Sequence, residues 1–238
     1  MSTFFDVLRV YGLTAIVGYL LGSISFAIIF TWFFTKNDVR TSGSGNAGAT
    51  NVFRTAGAIP GTLTFVLDMA KGAVAVILGR LIFEKFGAPG INDPVAASQI
   101  GACVAGLFAV LGHLFPVFFG FRGGKGVLTL AGIIFMIDPL PLPVRFLALL
   151  IVFAISAVIT KTVSISSMAA AAAYPIVTFI RVITLHCQQP QVYSNTYWII
   201  ETIVAVIFGA TVFITHRENI KRIIAGTEPK FSIKKKGE

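Results

Sequence analysis

The run from Val10 to Phe34, VYGLTAIVGYLLGSISFAIIFTWFF, holds 25 residues and no charge. A helix needs about 20 apolar residues to cross the hydrocarbon of a bilayer. A secretion signal has an apolar core of only about 7–15 residues, so this run predicts a retained membrane helix. The remainder of the chain carries the same pattern. Of 238 residues, 55% are hydrophobic and 12% charged, where a soluble domain has about a quarter charged. Six further apolar segments follow, over 59–84, 97–119, 126–137, 144–160, 163–184 and 197–215. The predicted class is an all-α polytopic membrane protein, one domain over 1–238 with seven transmembrane helices. The fourth segment is short. The fifth and sixth are parted only by Thr160, Lys161 and Thr162, which predicts a tight antiparallel hairpin. The Ala169–Ala173 run offers a small-residue face for close helix approach. Two cysteines, Cys103 and Cys187, have neither metal-ligand spacing nor a disulfide framework.

Lysine and arginine set the orientation. With seven spans, 13 of the 19 basic residues fall on one side, four on the other, and Lys71 and Arg80 within a span. The N-terminus is therefore expected outside and the C-terminus in the cytoplasm. The loops at 35–58 and 120–129, the turn at 160–162 and the segment from 216 to 228 then face one compartment. Polar backbone near membrane depth is tolerated where protein buries it or a cavity wets it, so a shared cytoplasmic pocket is expected.

Three polar clusters fill those loops. The first contains Gly43, Ser44, Gly45, Asn46, Thr50 and Asn51, with Arg54 beyond them. Hydroxyls and amides on a tight glycine backbone suit contact with a phosphate. The second is Phe121-Arg122-Gly123-Gly124-Lys125-Gly126, a loop able to aim N–H groups and two cations at one anion. It is not a nucleotide-binding P-loop, because Phe119 stands where the first glycine belongs and Gly126 where Ser or Thr belongs. The third is His216-Arg217-Glu218-Asn219-Ile220-Lys221-Arg222, followed by Gly226 and Glu228. His216 and Asn219 share a face at i,i+3. Lys221, Arg222 and Lys234–Lys236 read as membrane-surface anchors for anionic lipid.

Within the spans, His113 near a cytoplasmic end reads as a structural donor, and Ser164, Ser166 and Ser167 as helix caps or, at a cytoplasmic helix N-terminus, as contacts for an anion. Asp68 and Lys71 are too costly to face lipid, so they pair, face the bundle or line the pocket. Arg80, nearer the outer end, is expected to snorkel.

These clusters, in this order, resemble the bacterial acyl-phosphate:glycerol-3-phosphate acyltransferase family (PlsY). The matching segments are Asp38-Val39-Arg40 with Gly43 to Asn51, Leu67 to Gly72, Gly112-His113 through Pro116, Phe121 to Thr129, and His216 to Ile220 with Gly226-Thr227-Glu228. The resemblance covers almost the whole chain. It implies a seven-helix inner-membrane enzyme that moves an acyl chain from acyl-phosphate to the sn-1 hydroxyl of glycerol-3-phosphate, for phospholipid synthesis. Lysophosphatidic acid and phosphate are the products. Neither acyl-CoA nor acyl carrier protein takes part, and no cofactor, metal or nucleic acid is implied. The expected partners are the two substrates and membrane lipids, with the chain acting as a monomer.

Carried over residue by residue, Ser44 and Asn46 with their glycines match the first motif. Gly123, Gly124, Lys125 and Gly126 match the phosphate-gripping second motif, and His216, Asn219 and Glu228 match the third. Ser164 resembles a serine near the glycerol-3-phosphate site. The catalytic candidates are Ser44, Lys125, His216 and Asn219. The substrate-binding candidates are Gly43, Gly45, Asn46, Thr50, Asn51, Arg54, Gly123, Gly124, Gly126, Ser164 and Glu228. Ser25 and Leu128 stand where the family commonly has proline and alanine. The connections near 138–145 and 185–196 read as longer than usual.

An acyl-phosphate is a mixed anhydride with a good leaving group, so orientation and charge stabilisation suffice. The His-x₄-Asp pattern of many other acyltransferases is absent, since Phe118, Gln191 and Lys221 follow the three histidines at that spacing. The proton therefore leaves through a substrate phosphate oxygen or through His216. The competing reading is a membrane transporter for an organic phosphate anion. No inverted repeat supports it.

Overall fold

A computed structural model of the chain describes residues 4–138 and 143–230, and the Lys234–Lys236 anchor lies outside them. Ten α-helices and no strands occur among the described residues: α1 (Phe4–Gly22), α2 (Phe26–Thr35), α3 (Ala49–Thr55), α4 (Ala58–Phe86), α5 (Pro94–Leu114), α6 (Val127–Ile137), α7 (Val144–Thr160), α8 (Val163–Gln188), α9 (Asn195–Thr215) and α10 (Arg217–Ile224). Among the described residues four stretches are long and apolar enough to cross a membrane: Phe4–Thr35, Pro94–Phe119, Val163–Gln188 and Asn195–Thr215. The helices α6 and α7 are shorter apolar elements, and α4 is long but carries Asp68, Lys71, Arg80, Glu84 and Lys85.

The burial pattern inverts that of a water-soluble protein. Arg145, Glu201, Asp68 and Lys71 are buried, whereas Phe33, Ile151, Val158, Ile180 and Ile203 are exposed. Apolar side chains on the outside and paired charges on the inside are what a hydrocarbon surrounding demands.

Close backbone contact builds the bundle. A Cβ at Gly22 would strike the Ala109 carbonyl, joining α1 to α5, and one at Gly79 would strike the Gly101 carbonyl, joining α4 to α5. Gly132 lies as tightly on the Met69 carbonyl, joining α6 to α4. In lipid, where burial of apolar area gives helices little reason to associate, such contacts supply the packing. The expected small-residue face of α8 is used in this way, since Gly209 of α9 approaches the Ala171 carbonyl. A core of Val76, Val110, Ile133, Leu149, Tyr174 and Phe208 links α4 to α9. The Lys161 turn between α7 and α8 is the expected tight hairpin.

The structure differs from the sequence-based expectation at several points. The first run is broken at Ser23–Ser25, where Lys71 Nζ reaches over from α4 and donates to the Ile24 carbonyl at 2.8 Å. That carbonyl sits at an interrupted helix turn and needs a donor. Lys71 also pairs with Asp68 at 2.8 Å, so the two charges are structural partners. Arg80 turns inward instead of snorkelling, donating to Gln99 Oε1 and the Ile137 carbonyl, each at 3.0 Å. It joins a buried network in which Arg145 pairs with Asp138 at 2.9 Å and with Glu201, and Gln99 donates to Glu201 at 2.7 Å. Ser166 and Ser167 bond back to the carbonyls four residues earlier, at 2.9 Å each, and do not cap α8. The helix α8 continues to Gln188, so its connection to α9 is only Gln189–Ser194. The other connection expected to be long includes residues 139–142, outside the described residues.

Candidate active site

Residues from the second and third polar clusters meet in one hydrogen-bonded group. Lys125 Nζ donates to Asn219 Oδ1. Asn219 Nδ2 donates to Glu228 Oε1 at 2.6 Å, and Ser164 Oγ donates to the same oxygen at 2.7 Å. Arg222 Nε holds the other carboxylate oxygen at 2.7 Å. Local structure explains the convergence. Gly126, at φ 80, starts α6 immediately after Lys125, and His216 is the residue on which α9 ends and α10 begins. Thr215 Oγ1 donates to the Lys125 carbonyl at 3.4 Å. Gly226, at φ 70, turns the chain so that Glu228 folds back onto Arg222 and Asn219. Ser164 arrives from the first turn of α8. The N-terminal ends of α6, α8 and α10 therefore lie around Lys125, Asn219 and Glu228. None of the three has a side-chain cap. Each carries a partial positive charge on its unpaired N–H groups.

The pair expected on one face of the third cluster is found there. His216 and Asn219 are buried, while Arg217, Glu218 and Lys221 are exposed. His216 Nδ1 lies 2.7 Å from the Val212 carbonyl. A carbonyl only accepts, so Nδ1 carries the proton and Nε2 holds the lone pair. Burial, and then the neighbouring Lys125 charge, push the imidazole down to about 4. Burial also lowers Lys125, to about 8, with Arg222 reinforcing the fall and Glu228 opposing it. For Glu228, burial acts upward, but hydrogen bonds from Ser164, Asn219 and Arg222 hold the carboxyl below its usual range.

The first cluster packs against the second through backbone. A Cβ on Gly124 would strike both the Ala47 carbonyl and His113 Nε2. The ring of His113 thus props the loop from below, with Thr129 Oγ1 at 3.3 Å from its Nδ1, the structural part foreseen for it. Ser44, Gly45, Thr50 and Arg54 are exposed and Asn46 is half-buried. Arg54 joins none of the ion pairs among the described residues.

Several residues do a different job from the one expected. Asn51 was expected to bind substrate, but both its amide hydrogens go to the Val39 and Ser42 carbonyls at 3.0 Å. Its Oδ1 accepts from the Ser44 N–H at 3.0 Å, so the side chain shapes the loop. Gly43, at φ 60, leaves room for that amide, since a Cβ there would strike Asn51 Oδ1. The N–H groups of Gly123 and Gly124 do not point at an anion, because they donate to the Leu114 and His113 carbonyls at 3.1 and 3.2 Å. Lys125 and the start of α6 are the parts of that loop not spent on backbone carbonyls. Arg222 reads from sequence as a lipid anchor, yet it grips Glu228. The turn at Gly226 is the signal that brings those two together. Glu201 escaped the sequence reading altogether, although a lone carboxylate in an apolar span is itself a flag.

The glycerol-3-phosphate acyltransferase family model matches residues 12–226. The chain belongs to the glycerol-3-phosphate acyltransferase family. It is 38% identical over 219 residues to a glycerol-3-phosphate acyltransferase of Jannaschia sp. (strain CCS1), covering 92% of each chain. It is 37% identical over 218 residues to glycerol-3-phosphate acyltransferase 2 of Bacillus anthracis, covering 92% of this chain and 97% of that one. Among solved structures, PlsY (YgiH), an integral membrane glycerol 3-phosphate acyltransferase, superposes in its glycerol 3-phosphate form with a TM-score of 0.71. The two chains are 32% identical, over 93% of this chain and 96% of that one. The lysophosphatidic acid form gives 0.69. This membrane protein is therefore an acyltransferase, and the transporter reading of the sequence gives way. Among the described residues no cluster of three or more His, Cys, Asp or Glu forms a metal site.

Proposed function

We propose that this acyltransferase moves an acyl chain from acyl-phosphate to the sn-1 hydroxyl of glycerol-3-phosphate, yielding lysophosphatidic acid and inorganic phosphate. The observation that carries the proposal is the Lys125–Asn219–Glu228–Ser164 group lying at three helix N-termini. A cation and three positive dipole ends together favour a phosphate dianion. Lys125 and the start of α6 hold the phosphate that leaves. Ser44, Asn46, Thr50 and Arg54 on the exposed first loop bind the second anion, with Ser164 and Glu228 orienting the glycerol hydroxyls.

The hydroxyl oxygen attacks the carbonyl carbon, the new ester C–O bond forms, and the bond from the carbonyl carbon to the bridging phosphate oxygen breaks. The hydroxyl proton passes to a phosphate oxygen. His216, at about 4, is too weak a base for neutral pH, where the best catalytic base has a pKa near the working pH. Its neutral ring and Asn219, whose Oδ1 accepts from Lys125, instead fix the surroundings of Lys125, and a cation held in place beforehand stabilises developing charge without reorganising.

Seven segments cross the membrane in this reading: α1 with α2, then α4, α5, α6, α7, α8 and α9. The N-terminus lies outside, and the three polar loops face the cytoplasm of a bacterial inner membrane. The inward pairing of Asp68, Lys71 and Arg80 supports α4 as one of the seven. The test is purified protein in lipid with acyl-phosphate and glycerol-3-phosphate. Phosphate release that requires both substrates is expected, and release independent of glycerol-3-phosphate contradicts the proposal.

A further inference from the structure

Arg40 lies outside the residues assigned to the site above, yet it joins two of its loops. Each nitrogen of its guanidinium has a protein partner. Nε donates to both Asp38 carboxylate oxygens at 3.0 Å, and Nη2 donates to Asp38 Oδ2 at 2.7 Å. Nη1 donates to the Phe119 carbonyl at 2.7 Å and to the Arg122 carbonyl at 3.3 Å. Those two carbonyls bracket Gly120 and Phe121, which are both left-handed, at φ 67 and 59. Glycine adopts that conformation freely, but in phenylalanine it presses Cβ toward the carbonyl oxygen. Such a residue persists only where its surroundings over-determine it. Phe121 is 58% exposed, so side-chain packing does little to hold it. What holds it is backbone: its own N–H bonded to the Pro116 carbonyl at 3.0 Å, and Arg40 on either side. Gly123, Gly124 and Lys125 follow directly.

We propose that Arg40 is a positioning residue whose fork, anchored on Asp38, clamps the Gly120–Phe121 turn and so sets where Lys125 meets the substrate phosphate. The inference rests on the reading that the Lys125 loop grips phosphate. In this role Arg40 acts through the two loops, since each of its nitrogens has a protein partner. The planar fork is the essential feature. A lysine keeps the charge but cannot hold a carboxylate and two carbonyls in one plane.

The experiment compares the full-length wild type with Arg40→Lys, Arg40→Met and Lys125→Met in lipid, measuring kcat and the KM of each substrate. Arg40→Lys and Arg40→Met are expected to fall together, by up to roughly 100-fold, mainly in kcat, as for a misplaced catalytic group. Methylguanidinium added to Arg40→Gly is expected to restore part of the lost kcat, and methylammonium none. Wild-type kcat in Arg40→Lys, or a loss confined to KM, overturns the inference, because either result makes Arg40 a simple charge. If Arg40→Met does not fold, Arg40→Lys and the rescue pair decide the question alone. Unchanged KM for both substrates in Lys125→Met breaks the phosphate-loop reading whatever Arg40 does. An impaired Lys125→Met beside a normal Arg40→Lys breaks the Arg40 inference alone.

Discussion

Replacing Glu228 by glutamine keeps the shape of the side chain while removing its charge and one acceptor. Glu228 takes hydrogen bonds from Ser164 and Asn219 on Oε1 and from Arg222 on Oε2, at 2.6–2.7 Å. An amide has one acceptor oxygen, so its NH₂ must face at least one of these donors. A hydrogen bond to a charged group contributes about 1.5–3 kcal/mol. Because Glu228 is partly exposed, water replaces some of that, and the lower end applies. At 1.36 kcal/mol per factor of ten, the expected fall in kcat/KM is about tenfold. A second effect separates this network from ordinary packing damage. The Glu228 charge holds Lys125 up against burial and Arg222, at about 8. With the charge gone, Lys125 moves further down. In the proposed mechanism the protonated lysine grips phosphate, so wild-type kcat/KM is expected to fall as pH rises through about 8. In Glu228→Gln that fall must begin at lower pH. The assay is glycerol-3-phosphate-dependent phosphate release across neutral and alkaline pH. An alkaline limb that does not move, together with wild-type kcat/KM, refutes the proposed coupling of Glu228 to Lys125.

Three further outcomes are expected. Lys125→Arg keeps a cation at every accessible pH, so the alkaline limb near 8 disappears while phosphate binding persists. His216→Gln retains most of the wild-type kcat. Its acid limb near pH 6 stays in place, because a phosphate ester ionises there and His216 does so only at about 4; loss of that limb makes His216 the base. Gly124→Ala drives a methyl into the Ala47 carbonyl and the His113 ring. It is expected to lower both the unfolding midpoint and kcat, with overpacking costing about 1–3 kcal/mol.

Much of the bundle was legible because lipid imposes a one-dimensional rule. A segment of sufficient apolar length forms a helix, and its flanking polar residues fall outside the hydrocarbon. The limits of α6, α7 and α9 followed closely from that rule. The break at Ser23–Ser25 did not, since it depends on Lys71 supplying a hydrogen bond from another helix. The buried Asp138–Arg145–Glu201 group was missed for a similar reason. Arg145 reads as a loop cation when only its neighbours in sequence are considered. Of the site, the three clusters and the face shared by His216 and Asn219 were visible as composition and spacing. The division of labour inside them was not. Asn51, Gly123 and Gly124 look like ligand donors in sequence, and in the fold they satisfy carbonyls.

The amino-acid sequence by itself determined the class of protein, the family and the three polar loops to which the proposed chemistry is assigned. Hydrophobic length, glycine and charge are local properties that need no partner to be read. The tertiary structure alone decided that Lys125, Asn219, Glu228 and Ser164 form one group, and that Arg40 holds the turn leading to it. These are contacts between residues up to 94 apart in the chain. A hydrogen bond is set by a few tenths of an ångström and by direction, and only the packed helices fix such quantities.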